Sequence, residues 1–341
     1  MAKHTIRDIA RMAGVSRSTV SLVLNNSPSV SEETRRRVVE VIEAAQYRPS
    51  AQARSLVSHR ARALALIVPE SDEVFRNFYL ADTMGGILEA ITPRGYQLVV
   101  APATRKFVQD RGYETMFMEQ RVDGALVAGA RIDEEFVFRI RDAGHPLCLI
   151  NSETEGASSV MAGNVEGARM AVRHLAALGH GEAGYIRGPD SQAPGRDRHA
   201  GFIEEMEALG LPLVPERCVF GDFTEYSGYE AMGKLLRQCP AHPTALFAAN
   251  DMMALGAIRR LREARLRVPE DVAVVGADDI LLASYSSPAL TTIRQPLAII
   301  ARMAAEIVLG QIEKGQRGVE RKTVPAPLVI RESCGAQARP M

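Results

Sequence analysis

Guanidinium, hydroxyl and amide side chains are concentrated in the first 25 residues of the chain. Arg17 and Ser18 are adjacent, and similar short polar groups flank them in five places: Thr5, Ser16, Thr19, Ser21 and Asn25. A guanidinium group can donate two parallel hydrogen bonds to a guanine edge, and short hydroxyl and amide groups can bind phosphate oxygens. The chemistry open to this segment is recognition of a polar, negatively charged partner.

The apolar residues between these groups predict two short helices joined by a tight turn. The first helix has one small apolar face made of residues at helical spacing: Ile6, Ile9, Ala10 and Ala13. Gly14 can enter a left-handed turn at little cost, Val15 fills the angle between two crossed helices, and Ser16 is a natural N-cap. This order of residues predicts a helix-turn-helix.

The second helix presents the polar groups on one face. We expect it to bury Val20, Val23 and Leu24. Four side chains then point outward: Arg17, Ser18, Ser21 and Leu22. Such a face is typical of a recognition helix in a DNA major groove, whereas periodicity alone also fits a helical hairpin in a domain core.

Charge favours the first of these interpretations. Residues 1–62 contain eleven Lys or Arg and five Asp or Glu, whereas the whole chain balances 41 basic against 41 acidic residues. The first 62 residues are therefore basic and the remainder is acidic. This asymmetry is typical of a nucleic-acid-binding segment joined to a domain with another role.

A third helix and a short linker complete the N-terminal region. The helix is predicted to begin near the N-cap Ser31 and to bury four side chains: Val38, Val41, Ile42 and Ala45. Residues 49–58 then have helix-forming composition over about two turns only. An isolated helix of this length is marginal in water, so we expect it to be disordered until a partner packs against it.

Beyond residue 62, short continuous apolar runs alternate with longer helical ones. The predicted buried strands are 63–69, 96–101, 124–128, 146–150, 183–186, 244–249 and 272–276. Continuous apolar strands separated by helices are typical of doubly wound parallel sheets, and the length from 63 to 341 suffices for two such lobes. The fold class predicted is an all-α DNA-binding domain followed by an α/β domain.

Composition restricts the class of protein further. With 46% hydrophobic residues the chain can bury a large core, and no segment has the roughly 18 to 20 uninterrupted apolar residues of a membrane span. An apolar leader is also missing, so we expect a cytoplasmic protein. Cys148, Cys218, Cys239 and Cys334 lack metal-binding or disulfide spacing, and we interpret them as small buried hydrophobes.

Polar residues follow two of the predicted strands. Asn250 and Asp251 come after one strand, and Asp278 and Asp279 come after another. Side chains at the carboxyl ends of parallel strands line the ligand cleft of doubly wound proteins. The alternative for Asn250 and Asp251 is that they cap the helix that follows.

These segments together resemble the lactose-repressor (LacI/GalR) family of bacterial transcription regulators. The resemblance covers nearly the whole chain and lies in residues 5–25, 30–35, 47–49, 53–56, 247–256, 268–272 and 290–296. It implies a helix-turn-helix domain (1–48), a hinge (49–62) and a two-lobed type I periplasmic-binding-protein-like domain (63–341). In that architecture the first lobe takes 63–162 and 293–323, and the second takes 163–292 and 324–341.

The resemblance also implies roles for single residues at the DNA. Arg17 and Ser18 would read base edges, with phosphate contact as the alternative, and the five flanking polar residues would bind phosphates or cap helices. Leu22 stands where relatives often have Arg or His, so it either touches a thymine methyl or packs on its own domain. Leu56, beside the small Ala53, matches the hinge leucine that relatives insert between base steps. A buried linker leucine is the alternative.

Six residues match effector-contacting positions of the family: Tyr79, Asn151, Arg198, Phe223, Asn250 and Asp278. Arginine, carboxylate and amide groups together offer the donors and acceptors that sugar hydroxyls require, and Phe223 offers a wall for a sugar ring or a base. Asn151 and Gly163 depart from the more acidic family pattern, so the pocket loses charge on that side. We expect a saccharide effector, with a nucleobase or another non-sugar ligand as the alternative.

The function expected is that of a homodimeric regulator that binds a pseudo-palindromic operator in double-stranded DNA and responds to an effector between its lobes. A repressor is favoured over an activator, and whether the effector induces or acts as corepressor is left open. We expect no membrane partner, metal or cofactor. An enzyme is disfavoured because phosphate-loop, HExxH and nucleophile-elbow motifs are missing, and a solute receptor is disfavoured by the basic N-terminal region.

Overall fold

The structure, a computed structural model, describes residues 4–24, 27–47, 60–69, 78–239, 241–316 and 318–336. The chain divides into two compact units, Met1–Ala61 and Arg62–Met341. No helix in the described ranges is long and apolar enough to cross a membrane.

The described residues of the first unit form three helices: α1 (Ile6–Ala13), α2 (Arg17–Leu24) and α3 (Glu32–Ala44). Gly14 ends α1 in the left-handed conformation, at φ 64° and ψ 34°, as the predicted turn requires. The core is small and draws on all three helices: Ile9, Ala10, Ala13, Val20, Val23 and Val38. Val41, Ile42 and Ala45 pack against it half-buried.

The prediction that Leu24 is buried is wrong. Its exposed fraction is 37%, whereas Val20 and Val23 are buried. At about 100° per residue, Leu24 lies about 70° from the line midway between Val20 and Val23. Half-buried Thr19 lies on the opposite side of that line, so the buried stripe of α2 is tilted away from Leu24. Leu24 therefore joins the outward face.

The part of the second unit that the structure describes forms two six-stranded sheets. Strands of the first sheet have the spatial order β11-β5-β4-β3-β1-β2, and strands of the second have the order β12-β10-β9-β8-β6-β7. The strands are β1 (Ala63–Pro69), β2 (Gln97–Ala103), β3 (Gly124–Ala128), β4 (Leu147–Ile150), β5 (Ser158–Ala162), β6 (Ala183–Arg187), β7 (Cys218–Phe220), β8 (Ala245–Ala248), β9 (Ala273–Asp278), β10 (Thr291–Arg294), β11 (Arg321–Val324) and β12 (Leu328–Val329). All paired strands are parallel except β10 and β12. The predicted doubly wound parallel sheets are confirmed.

Helices connect the strands and cover the sheets. They are α4 (Phe78–Ile91), α5 (Arg105–Gln109), α6 (Gly112–Met118), α7 (Glu135–Asp142), α8 (Asn164–Ala177), α9 (Ala193–Ala208), α10 (Glu225–Gln238), α11 (Asp251–Glu263), α12 (Leu281–Tyr285) and α13 (Leu297–Lys314). Single 3-10 turns occur at Thr92–Arg94, Pro215–Arg217 and Glu332–Cys334. Helix α13 packs on α4 and on the first sheet, whereas α8 to α11 pack on the second sheet. Each sheet with its helices is called a lobe below.

The chain passes between the lobes three times. It leaves the first sheet after β5, returns from β10 to α13, and crosses again between β11 and β12. All seven strands predicted from continuous apolar runs are present. Five further strands were not predicted, because they are short or carry polar residues, as in Ser158–Ala162 and Arg321–Val324.

The cysteines are free thiols. Cys148, Cys239 and Cys334 are buried, as expected of small hydrophobes, whereas Cys218 is only half-buried. No group of three or more His, Cys, Asp or Glu among the described residues is placed to hold a metal ion.

Candidate functional site

The hydroxyl groups around the first two helices act first as helix caps. Thr5 Oγ1 accepts a hydrogen bond from the Asp8 amide at 3.4 Å, and the Asp8 carboxylate accepts one from the Thr5 amide at 2.9 Å. These hydrogen bonds lower the pKa of Asp8. Ser16 Oγ likewise accepts from the Thr19 amide at 3.0 Å and lies 2.9 Å from Thr19 Oγ1. Thr5, Ser16 and Thr19 therefore fix the helix ends, and each oxygen keeps capacity for a further partner.

The outward face of α2 carries the predicted reading residues. Arg17 and Ser18 are exposed, and Ser21 is half-buried. Leu22 has an exposed fraction of 40% and lies about 130° around the helix from its buried stripe. Its own domain therefore does not bury Leu22, and the face is amphipathic rather than uniformly polar.

The first unit carries further positive charge outside this face. Arg7, Arg36 and Arg37 are exposed, and Arg35 donates to the Ser27 carbonyl at 2.6 Å, which ties the turn after α2 to α3. Three further predicted DNA residues lie outside the described residues: Asn25, Ala53 and Leu56.

The second unit brings the predicted effector residues into one region between the lobes. Asn151 directly follows β4, Asp278 is the last residue of β9, and Arg198 lies on α9. Asn250 is the N-cap of α11, and Phe223 lies between β7 and α10. Tyr79, near the start of α4, hydrogen-bonds Asn151 through its hydroxyl.

Five side chains in this region, four of them buried and Asp278 half-buried, form a closed ring of hydrogen bonds, called the inter-lobe ring here. Arg198 donates from Nε to Asn164 Oδ1 at 3.0 Å and from Nη2 to Asp278 Oδ1 at 3.0 Å. Asn164 donates to Asn151 Oδ1 at 3.4 Å. Asn151 then donates to Gln295 Oε1, and Gln295 donates to Asp278 Oδ1, which closes the ring.

The chemistry of two members sets the orientation of the other three. Arg198 can only donate and an ionised Asp278 can only accept, so both paths from the arginine to the aspartate run from donor to acceptor. Each amide of Asn164, Asn151 and Gln295 has only one orientation that fits this direction. The inter-lobe ring is therefore a polarised network in which all five groups depend on the Arg198 and Asp278 charges.

The ring joins elements of both lobes. Asn151 belongs to the first sheet, and Arg198 and Asp278 belong to the second lobe. Asn164 and Gln295 lie at the first two points where the chain crosses between lobes. A change in the position of one lobe relative to the other must therefore alter hydrogen bonds in the ring.

Asn250 has a structural role, which was the alternative considered from the sequence. Its Oδ1 accepts from the Met253 amide at 2.9 Å, and its Nδ2 donates to the Phe223 carbonyl at 2.9 Å. The neighbouring Ala249 carbonyl accepts from Arg198 Nη1. Asn250 thus positions the Phe223 loop at the edge of the ring.

Backbone strain is concentrated at the same place. Four residues here have positive φ: Asn151 (48°), Phe223 (73°), Asp278 (129°) and Asp279 (59°). Asn and Asp tolerate this region better than other residues, whereas an aromatic residue does so at a cost of order 1 to 3 kcal/mol. Such strain is typical of binding and switch sites, where the surroundings determine the conformation.

Burial changes the acid–base properties of the site. It raises the pKa of Asp278 despite the opposing effect of Arg198 and Gln295, and it raises the pKa of Tyr79. Burial and the nearby Asp278 charge raise the pKa of Asp251 to about 7. Asp251 is fully buried and accepts hydrogen bonds from the Ile280 amide and the Thr292 hydroxyl, so it ties α11 to β9 and β10.

Two residues of the ring, Asn164 and Gln295, were not predicted from the sequence. A signal existed for both: Asn164 follows Gly163, which departs from the family pattern, and Gln295 lies within the quoted segment 290–296. Their partners lie 13 to 144 positions away along the chain, so only the fold brings the ring together.

Both units match known protein families. Residues 5–50 match the lacI family of bacterial regulatory proteins, and residues 172–334 match the periplasmic binding protein-like domain. The HTH-type transcriptional repressor PurR of Escherichia coli O139:H28 is 35% identical over 333 residues, and PurR of Photorhabdus laumondii is 33% identical over 333 residues. Each alignment covers 96% of this chain and 96% of the relative.

Two solved structures of similar proteins match nearly the full length of this chain. The lac repressor dimer bound to operator and the anti-inducer ONPF has a TM-score of 0.84 and 27% identity, covering 98% of this chain and 99% of that one. The complex of the transcriptional regulator CelR with cellobiose has a TM-score of 0.76 and 32% identity, covering 97% and 100%. The chain thus belongs to the lacI family of bacterial regulatory proteins.

Proposed function

We propose that this chain is a homodimeric transcriptional repressor that binds a pseudo-palindromic operator and is controlled by a neutral small molecule, a sugar or sugar derivative, at the inter-lobe ring. The proposed domains are 1–48 for DNA binding, 49–62 for the hinge and 63–341 for effector binding and dimerisation. The single observation that carries the effector site is the closed, polarised ring between the two lobes.

The proposal for DNA rests on the exposed face of α2. Arg17 and Ser18 read base edges, and the apolar Leu22 contacts a thymine methyl or excludes water. Thr5, Ser16, Thr19, Ser21 and Asn25 contact phosphates, in addition to any capping. Neutralised phosphates release counterions, so binding to the promoter beside the gene should weaken steeply between about 50 and 200 mM salt. A flat salt response in a fluorescence anisotropy titration would contradict this proposal.

The proposal for the effector rests on the charge and hydrogen-bonding capacity of the ring. Arg198 and Asp278 cancel each other's charge at 3.0 Å, and the other three members are neutral amides. A buried site with no net charge disfavours an ionised ligand, because that charge would lose its hydration without a counter-charge. Asp278 Oδ2 and the Tyr79 hydroxyl supply polar contacts, and Phe223 supplies an apolar one. The cellobiose bound by CelR is a ligand of this kind.

The experiment is calorimetric titration of the full-length protein with neutral sugars, beginning with cellobiose and ribose, and with adenine as the non-sugar alternative. Sugar binding should be lost in Asp278→Asn and kept in Asp133→Asn, a matched variant whose carboxylate is 70% exposed. If adenine binds and the sugars do not, the effector is a nucleobase instead of a sugar. Sugar binding that Asp278→Asn leaves intact would place the effector elsewhere.

The proposed homodimer has a candidate surface on α12. Leu281, Leu282 and Tyr285 have exposed fractions of 53%, 44% and 79%, which is unusual for three large apolar residues in one short helix. Exposed apolar patches of this kind mark protein–protein contacts. Leu281→Arg should therefore weaken the dimer in sedimentation experiments, whereas a monomeric wild-type protein would contradict the assignment.

Control of DNA binding follows from linkage between the two sites. If the effector changes the angle between the lobes, it moves the hinge segments and changes operator affinity by the same factor by which operator changes effector affinity. In the proposed hinge, the small Ala53 allows two hinge helices to approach each other, and Leu56 inserts between base steps of the operator. A reporter gene behind the operator distinguishes repression from activation, and the sign of the effector response distinguishes inducer from corepressor.

A further inference from the structure

A cavity lies in the second lobe, at the end of α11 opposite to the inter-lobe ring. Its volume is about 370 Å³, within the range of small-molecule sites. Helix α11 begins beside the ring at Asp251 and ends at Glu263, so the cavity lies about 20 Å from the ring. A ligand there would be distinct from the proposed effector.

The residues that line the cavity form an apolar part and a basic part. Ile258, Leu266, Val268 and Pro288 supply the apolar part. Three arginines supply the basic part: Arg262, Arg265 and Arg267. Glu270 is the acidic lining residue, so the positive charges outnumber the negative ones.

Two of the arginines have internal partners. Arg262 donates to the Ser287 carbonyl at 2.8 Å, and Arg267 is paired with Asp271 at 2.9 Å. Helix ends attract cations, which accounts for Arg262 in the last turn of α11. Neither explanation applies to Arg265, whose guanidinium makes no hydrogen bond or ion pair with the residues that the structure describes.

Arg265 also occupies a position that favours glycine. Its amide donates to the Arg262 carbonyl and the Leu266 amide donates to the Leu261 carbonyl, both at 3.0 Å, which is the hydrogen-bond pattern of a left-handed helix end. The φ of Arg265 is 63°. A side chain other than glycine is strained there, yet this one places a third guanidinium at the cavity.

We propose that this cavity binds a small molecule that joins a phosphate group to an apolar group. Guanidinium groups match phosphate oxygens with paired, charge-assisted hydrogen bonds, and Arg265 has its donors free of other described groups. The apolar lining would cover the apolar part of the ligand. The site is independent of the neutral ligand proposed for the inter-lobe ring.

The test uses phenyl phosphate as the probe and calorimetric titration of the full-length protein. Phenyl phosphate should bind with one-to-one stoichiometry, and phenol, which lacks the phosphate, should bind at least tenfold more weakly. Arg265→Gly should weaken phenyl phosphate binding at least tenfold and raise the melting temperature, because glycine adopts the left-handed conformation without strain. Improved stability with lost binding excludes misfolding as the cause.

Two variants serve as controls. Arg265→Ala removes the same guanidinium and keeps the strained backbone, so it should lose binding without a rise in melting temperature. Arg302→Ala removes an exposed arginine of α13 that does not line the cavity and should bind as wild type does. The proposal is overturned if wild type does not bind phenyl phosphate, if Arg265→Gly binds it equally well, or if phenol binds as tightly.

Discussion

Replacing Arg198 by methionine should destabilise the second unit by about 3 to 5 kcal/mol, the cost typical of removing one partner of a buried ion pair. The Arg198 side chain is 4% exposed and the Asp278 side chain 17%. Methionine fills a similar space but removes the arginine donor from three acceptors, Asn164 Oδ1, Asp278 Oδ1 and the Ala249 carbonyl, of which Asp278 Oδ1 keeps Gln295 as a donor. The largest part of the cost is the unpaired Asp278 charge.

A double-mutant cycle isolates that part. Asp278→Asn keeps an oxygen that accepts from Gln295 and removes the charge, so Arg198→Met with Asp278→Asn should cost at least about 1.5 kcal/mol less than the sum of the single variants. The assay is urea denaturation at pH 8, supported by melting temperatures. At about 2 °C per kcal/mol for a unit of this size, Arg198→Met should lower the melting temperature by about 6 to 10 °C.

The matched control is Arg302→Met, an exposed arginine whose replacement should stay within about 0.5 kcal/mol of wild type. The reasoning is refuted if Arg198→Met costs less than 1 kcal/mol, or if the two single costs simply add. Either result would mean that water, rather than the ring, satisfies Asp278.

Three further predictions concern single side chains. Burial raises the pKa of Asp251 to about 7 from 3.8, so the folded protein retains a proton that the unfolded chain releases. The retained proton stabilises the folded state by at most about 4 kcal/mol, and this stabilisation is complete below about pH 4 and lost as the pH rises to about 7. In urea titrations, the stability of Asp251→Asn relative to wild type should therefore increase between pH 5 and 8. A difference independent of pH would contradict this. Leu22→Arg should create a preference for guanine at one position per half-site, worth about 1 to 3 kcal/mol, and an unchanged preference in a randomised-site selection would place Leu22 outside the groove. Thr5→Ala should lose about 1 kcal/mol in thermal denaturation of the first unit, because the capping box of α1 is broken, and an unchanged melting temperature would mean that water replaces the cap.

Strands that form long continuous apolar runs could be predicted from the sequence, whereas short strands and strands with polar residues could not. The runs 63–69 and 124–128 coincide with β1 and β3 because burial on both faces leaves no alternation to misinterpret. Ser158–Ala162 is also fully buried, but two serines begin it, and the packing that makes them buried is set by β4 and β11. Tertiary context, rather than local pattern, decides such a strand.

The same distinction applies to the site. Arg198 and Asp278 were identified from residues that match the family, and the structure adds their partners and the direction of every hydrogen bond. The cap made by Asn250 was anticipated as an alternative, because a polar residue before a helix has that local role wherever it occurs. The link from Asn151 to Gln295 spans 144 positions, and no local pattern encodes it.

The three passages of the chain between the sheets have a consequence for its genetics. Neither lobe is encoded by one continuous stretch, since β11 lies at the edge of the first sheet and β12 at the edge of the second, only a few residues apart in the chain. A nonsense mutation shortly after residue 316 would therefore strip an outer strand from both sheets in a single event. Such truncations should have the phenotype of complete loss of the protein, rather than the phenotype of variants in which one lobe alone is impaired.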